Sequence, residues 1–130
     1  MKKRILIVED DAIGAKIAEH HFKNAGCEVY LVEDGSKAIE LLTTHHEDYE
    51  STYMDIGIPK MNGVEVCQAV RKYEADHPDL KPIPIIAVTA NSSSEDTRKY
   101  LNSGMQHVIF KPLTLEKVKI FLEKSKFNSP

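Results

Sequence analysis

The sequence predicts an α/β fold, a doubly wound parallel sheet of five strands covered by five helices. Three observations carry this. Five short apolar runs alternate with five stretches of helical periodicity along the chain. The runs are nearly continuous in apolar residues, as in strands buried on both faces, and strict β-α alternation calls for parallel pairing. Right-handed crossovers then bring the carboxyl ends of all the strands to one side of the sheet.

The first strand is expected at residues 4–9, around Ile5-Leu6-Ile7-Val8. In 12–25, Ile13, Ile17, Ala18, Phe22 and Ala25 recur at helical spacing, and Gly26 supplies a stop. Residues 28–32 make the second strand, and Ser36 is placed to cap a helix carrying Ala38, Ile39, Leu41 and Leu42. The third strand, roughly 50–54, is the least regular, because Ser51 and Thr52 interrupt it. Val64, Cys67, Val70 and Tyr73 mark the third helix, which Pro78, Pro82 and Pro84 end before a strand at 84–89. Ser92-Ser93-Ser94-Glu95 offers a capping box for a helix running to about Gly104. A strand at 107–110 and a helix at 114–125, with Val118, Phe121 and Leu122 inward, complete the pattern. Residues 1–125 are expected to form one domain and 126–130 a short frayed tail.

The composition fits that domain and excludes several functions. At 130 residues the chain can bury one core, and its 42% hydrophobic and 28% charged residues are ordinary for a soluble protein. A net charge of −3, with scattered lysines, offers no basic stripe for nucleic acid. No apolar run approaches the length of a membrane span, and the one behind Met1-Lys2-Lys3-Arg4 stops at Glu9, too early for a signal peptide. The chain reads as cytoplasmic. Cys27 and Cys67 are too few for a disulfide framework and read as reduced thiols.

Chemistry concentrates at four strand ends. Glu9-Asp10-Asp11 follows the first strand, Asp55 ends the third, Thr89 ends the fourth, and Lys111 follows Val108-Ile109-Phe110. Each has a bland explanation: an acidic helix cap, an Asp before a Pro-containing turn, a hydroxyl satisfying a local amide, a Lys-Pro turn. Asp11 is expected to play the capping part. Together, acids, a hydroxyl and an ammonium at one end of a parallel sheet point to a hard cation and a phosphoryl group. Three carboxylates within a few ångströms repel by several kcal/mol at an effective dielectric of ~20. Protons or a cation must relieve this, and an all-oxygen set favours Mg²⁺ over Zn²⁺. The six histidines offer no comparable set: His20-His21 and His45-His46 are adjacent pairs that diverge on a helix.

Four ordered segments carry a family likeness. Ile5-Leu6-Ile7-Val8-Glu9-Asp10-Asp11, Tyr53 through Gly63, Ala87-Val88-Thr89-Ala90 and Phe110-Lys111-Pro112-Leu113 resemble response-regulator receiver domains of two-component signalling over roughly residues 3–124. The resemblance implies a flavodoxin-like sheet of order 2-1-3-4-5. It implies Asp55 as phosphoacceptor, with Thr89 and Lys111 on the phosphoryl oxygens. Mg²⁺ would be held by Asp10, Asp55, the Gly57 backbone carbonyl and, through water, Glu9. Phosphorylation would come from a histidine kinase or a histidine phosphotransfer domain. Switching of a protein-binding surface would pass through Ala90 and position 108. Such a domain assists its own phosphorylation without being an ordinary enzyme.

The likeness departs in three places: Val108 stands where an aromatic switch residue is usual, Ser51 and Thr52 precede the acceptor, and Gly57 leaves its approach open. Ile13, just past the acids, has two readings: partly exposed and offering a docking patch to the phosphohistidine partner, or packed inward under the last helix. The chain ends after the fifth helix, so a stand-alone receiver or a piece of a hybrid kinase is expected, with a modest lean to the hybrid and phosphorelay type.

Three alternatives compete. A flavin carrier would need a hydroxyl- and glycine-rich phosphate loop where the acids stand. An aspartyl-phosphate hydrolase would set its nucleophile after the first strand. A degenerate receiver would bind protein partners without phosphorylation.

Overall fold

Along the first strand, Ile5 and Ile7 face one side of the sheet and Leu6 and Val8 the other, and all four are buried. This two-sided burial explains the unbroken apolar runs. The computed structural model describes residues 3–56, 63–90 and 93–128. The strands are β1 (Lys3–Val8), β2 (Cys27–Val32), β3 (Ser51–Asp55), β4 (Ile85–Thr89) and β5 (His107–Phe110). The helices are α1 (Ala12–Asn24), α2 (Gly35–Thr44), α3 (Gly63–Asp76), α4 (Ser94–Asn102) and α5 (Leu115–Asn128). All pairings are parallel, in the order β2-β1-β3-β4-β5. The flavodoxin-like order expected from the resemblance is therefore present.

Two cores lie on either side of the sheet. Ile5, Ile7, Tyr53, Ile86, Val88 and Ile109 pack under α1 and α5 against Phe22, Val118 and Leu122. Leu6, Val8, Met54, Ile85 and Ala87 pack under α2, α3 and α4 against Leu42, Val66, Cys67, Val70 and Tyr100. Cys67 is a fully buried member of this core, and burial pushes its thiol pKa up.

Several local expectations shift. Ser36 does not cap α2. Asp34 does, accepting the Lys37 amide at 2.8 Å, while the Ser36 hydroxyl donates to the same carboxylate. A carboxylate suits the positive end of the helix better than a hydroxyl does. Ser93 caps α4 by accepting from the Asp96 amide, and Ser92 lies outside the described residues. Gly26, with φ of +89°, ends α1 where a Cβ would be strained. Ser51 and Thr52 are fully buried in β3, so polarity there marks no boundary. Ile17 was expected in the buried stripe of α1 but is 48% exposed, because Ala18 and Phe22 fill that seam.

One buried polar network was not anticipated. A 3-10 turn at His46–Asp48 places His46 against Glu74 of α3 at 2.6 Å. Glu74 also accepts from the Ile83 amide and from Arg71, whose other nitrogens reach the Gly104 carbonyl and Gln106. Every buried charge here has a partner, as burial demands. The network ties α3 to the start of β4 and to the loop before β5, at the pole opposite the strand carboxyl ends.

Candidate functional site

Strand pairing sets the site. The Glu9 amide donates to the Val32 carbonyl, the Ile56 amide to Val88 and the Lys111 amide to Thr89, at 3.0, 3.2 and 2.8 Å. Each chain is thus held one residue beyond its strand before it turns away. Asp55 and Thr89 are the last residues of neighbouring strands, both buried. The result is a pit in which one carboxylate oxygen each from Glu9, Asp10 and Asp55 lies within 4.8 Å of the others.

Local hydrogen bonds fix the acids. Asp11 caps α1, its Oδ2 accepting the Gly14 amide at 2.9 Å, as the sequence led one to expect. The Asp11 amide donates to Glu9 Oε1 at 3.0 Å and turns that side chain inward. Gly14 lets the helix start this close: a Cβ there would stand 3.3 Å from Glu9 Cδ and 3.2 Å from Asp11 Oδ2. Lys111 approaches from β5, with its Nζ 3.5 Å from Asp55 Oδ1 and 3.7 Å from Glu9 Oε2.

The electrostatics show a cluster short of positive charge. Burial pushes the Glu9 carboxyl from 4.5 up to about 7, and its hydrogen bond to Asp55 and the charge of Asp55 push the same way. The Asp11 amide and the Lys111 ammonium oppose the shift without cancelling it. Such crowding holds a proton or is relieved by a cation. An all-carboxylate, partly open set with room for water fits a hard divalent ion such as Mg²⁺. Glu9, Asp10 and Asp55 are the described residues able to hold it. The Gly57 carbonyl expected in that shell lies outside the described residues.

The flanking expectations separate into two sides. Ala90 is exposed directly after Thr89. Val108 is half-buried against the α3–α4 core and pairs with Ala87, while Phe110, on the same strand face, is 39% exposed beside Thr89. On the other side Ile13 is 71% exposed. It lines, with Ile17, Phe22, Tyr53, Pro112 and Leu113, an apolar cavity of about 250 Å³ that opens beside Glu9, Asp55 and Lys111. Sequence reasoning missed this cavity. Its one signal was a helix whose apolar residues exceed what a single buried stripe can use.

Comparisons with known proteins bear on the family and the fold. The family model described as response regulator receiver domain matches residues 5–123. Over 124 residues the chain is 34% identical to hybrid signal transduction histidine kinase M of Dictyostelium discoideum, covering 95% of this chain but 5% of that protein. It is 32% identical over 126 residues to the polar-differentiation response regulator DivK of Brucella ovis, covering 94% of this chain and 98% of DivK. The chain thus spans a small fraction of the hybrid kinases it matches and nearly the whole of DivK. Among solved structures, the receiver domain of the Arabidopsis thaliana histidine kinase CKI1, complexed with Mg²⁺ and BeF3−, superposes with a TM-score of 0.84 at 28% identity, covering 97% of this chain and 91% of that one. The receiver domain of Saccharomyces cerevisiae Ssk1, co-crystallised with the histidine phosphotransfer protein Ypd1, belongs to a structure matching with a TM-score of 0.81 at 27% identity, over 90% of this chain and 83% of that one.

Proposed function

The chain belongs to the response regulator receiver domain family of two-component signalling, and from this premise we propose that Asp55 accepts a phosphoryl group from a phosphohistidine in a Mg²⁺-dependent step. The observation that carries the reading is the pit itself: three carboxylates within 4.8 Å, with an ammonium 3.5 Å from Asp55.

An Asp55 carboxylate oxygen attacks phosphorus. The P–N bond of the donor breaks, and its electron pair stays on the imidazole nitrogen. The carboxylate attacks as an anion, so no base is needed. Asp10, Asp55, the Gly57 carbonyl and, through water, Glu9 would hold Mg²⁺, which would supply positive charge to the non-bridging oxygens. Lys111 supplies a second positive charge, and the Thr89 hydroxyl donates to one of those oxygens. Transfer of this kind rests on positioning and charge neutralisation, which these groups provide.

The acyl phosphate leaves about two negative charges where one stood. Thr89 and Lys111, bonded through their backbones, are drawn toward it and bias the surface carrying Ala90, Val108 and Phe110 between two populations. Ile13 and the apolar cavity mouth form the docking surface for the histidine-bearing partner, a histidine kinase or a histidine phosphotransfer domain. No described helix is long and apolar enough to cross a membrane.

Incubation with acetyl phosphate and Mg²⁺, read by intact mass, tests this. The expected result is one phosphoryl group, lost when a chelator replaces the ion. Labelling that persists in chelator contradicts the metal's part.

A further inference from the structure

Lys117 stands where a helix start disfavours it. Thr114 Oγ1 accepts the Lys117 amide at 3.2 Å, so Thr114 caps α5 and Lys117 occupies the third helical position. That position in a capping box belongs to Glu or Gln, and the positive end of the helix dipole opposes an ammonium there. The side chain answers by folding back onto the loop ahead of the helix. Its Nζ donates to the Phe110 carbonyl at 2.8 Å and to the Pro112 carbonyl at 3.0 Å.

These two carbonyls flank Lys111. The Lys111 amide is itself pinned to Thr89 at 2.8 Å. One ammonium therefore clasps the backbone on both sides of the residue whose own ammonium faces Asp55 and Glu9. The loop sits at an edge strand, where, among the described residues, β5 pairs only with β4 and has no second neighbour to hold it. The third residue of α5 substitutes for that neighbour.

We propose that Lys117 is a positioning residue for phosphoryl transfer, acting through Lys111 by fixing the Phe110–Pro112 backbone. The inference rests on the phosphoacceptor reading above and adds to it a residue that touches neither metal nor phosphate. Its role differs from a structural one in a measurable way. Lys117→Gln completes the capping box while removing the ammonium, so helix stability and transfer rate should part company.

The experiment measures labelling by acetyl phosphate at saturating donor and saturating Mg²⁺, beside thermal melts and Mg²⁺ titration. Lys117→Gln should label roughly fivefold slower or worse, with unchanged Mg²⁺ affinity and a melting temperature equal to or above that of wild type. Lys117→Arg, which keeps a cation with several donors, should restore most of the rate. In a Lys111→Ala background, Lys117→Gln should cost nothing further, because the group it positions is gone. Equal rates for Lys117→Gln and wild type overturn the inference alone. So does an undiminished loss in the Lys111→Ala background, or failure of Lys117→Arg to restore the rate. Wild-type protein that takes no label overturns the phosphoacceptor reading and this inference together.

Discussion

The ammonium of Lys111 bridges Asp55 and Glu9, at 3.5 and 3.7 Å. Lys111 therefore neutralises part of an acid cluster without belonging to the set of oxygen donors. Its loss should leave the cation site in place and weaken the handling of the phosphoryl group. Lys111→Ala is expected to label at least about tenfold more slowly, equivalent to ~1.4 kcal/mol, and to change Mg²⁺ affinity by far less than Asp10→Ala does. Parallel Mg²⁺ titrations and labelling rates check this. If Lys111→Ala abolished Mg²⁺ binding as completely as Asp10→Ala, the division of roles would be wrong.

Binding of a cation to the folded pit alone stabilises the fold by mass action. Wild type should melt several degrees higher in Mg²⁺ at ~100 times its dissociation constant than in chelator, following a gain of about 2.7 kcal/mol. Asp10→Ala should lose that increment. Melting curves that coincide with and without Mg²⁺ would remove both the ion and its site.

The elevated Glu9 carboxyl gives a pH dependence with a definite sign. Its folded value is about 7 against 4.5 ordinarily, so the native state holds the extra proton between those values. The stabilisation is complete below 4.5 and disappears as pH rises through about 7. Metal-free wild type should lose stability relative to Glu9→Gln over this window, by up to about 3 kcal/mol. Saturating Mg²⁺ should flatten the trend, because the ion takes the place of the proton. Urea melts of both proteins across the window decide it, and parallel pH profiles in chelator would contradict the crowding of Glu9 and Asp55.

Ile13 tests the partner surface separately from the chemistry. It is largely exposed beside the mouth of the apolar cavity, and its removal opens no core. Ile13→Asp should slow transfer from a phosphohistidine partner roughly tenfold or more, with acetyl phosphate labelling and melting temperature nearly unchanged. Equal loss with both donors, or a collapse of stability, would remove Ile13 from the docking surface.

Much of this site was legible in the sequence because strand ends are local features. Asp55, Thr89 and Lys111 each close or follow an apolar run, and parallel pairing carries all such ends to one side. Asp11 announced its capping role by standing before a helical pattern. What escaped depends on distant neighbours. Ser51 and Thr52 look like an interruption yet are fully buried, because β3 lies at the centre of the sheet. Ile17 looks like a core residue, but Ala18 and Phe22 fill the side of α1 that faces the sheet and leave it exposed. His46 and Glu74 are 28 residues apart and meet only through a 3-10 turn. Lys117 reads as an ordinary surface charge until the fold brings it over the carbonyls beside Lys111.

In the proposed transfer Asp55 carries the phosphoryl group. Reductive trapping of the acyl phosphate after acetyl phosphate treatment, followed by peptide mass mapping, measures this directly. The predicted result is a single modified position, at Asp55, in wild type with Mg²⁺, and none in Asp55→Asn. Modification at another residue in wild type, or undiminished labelling of Asp55→Asn, would contradict the account.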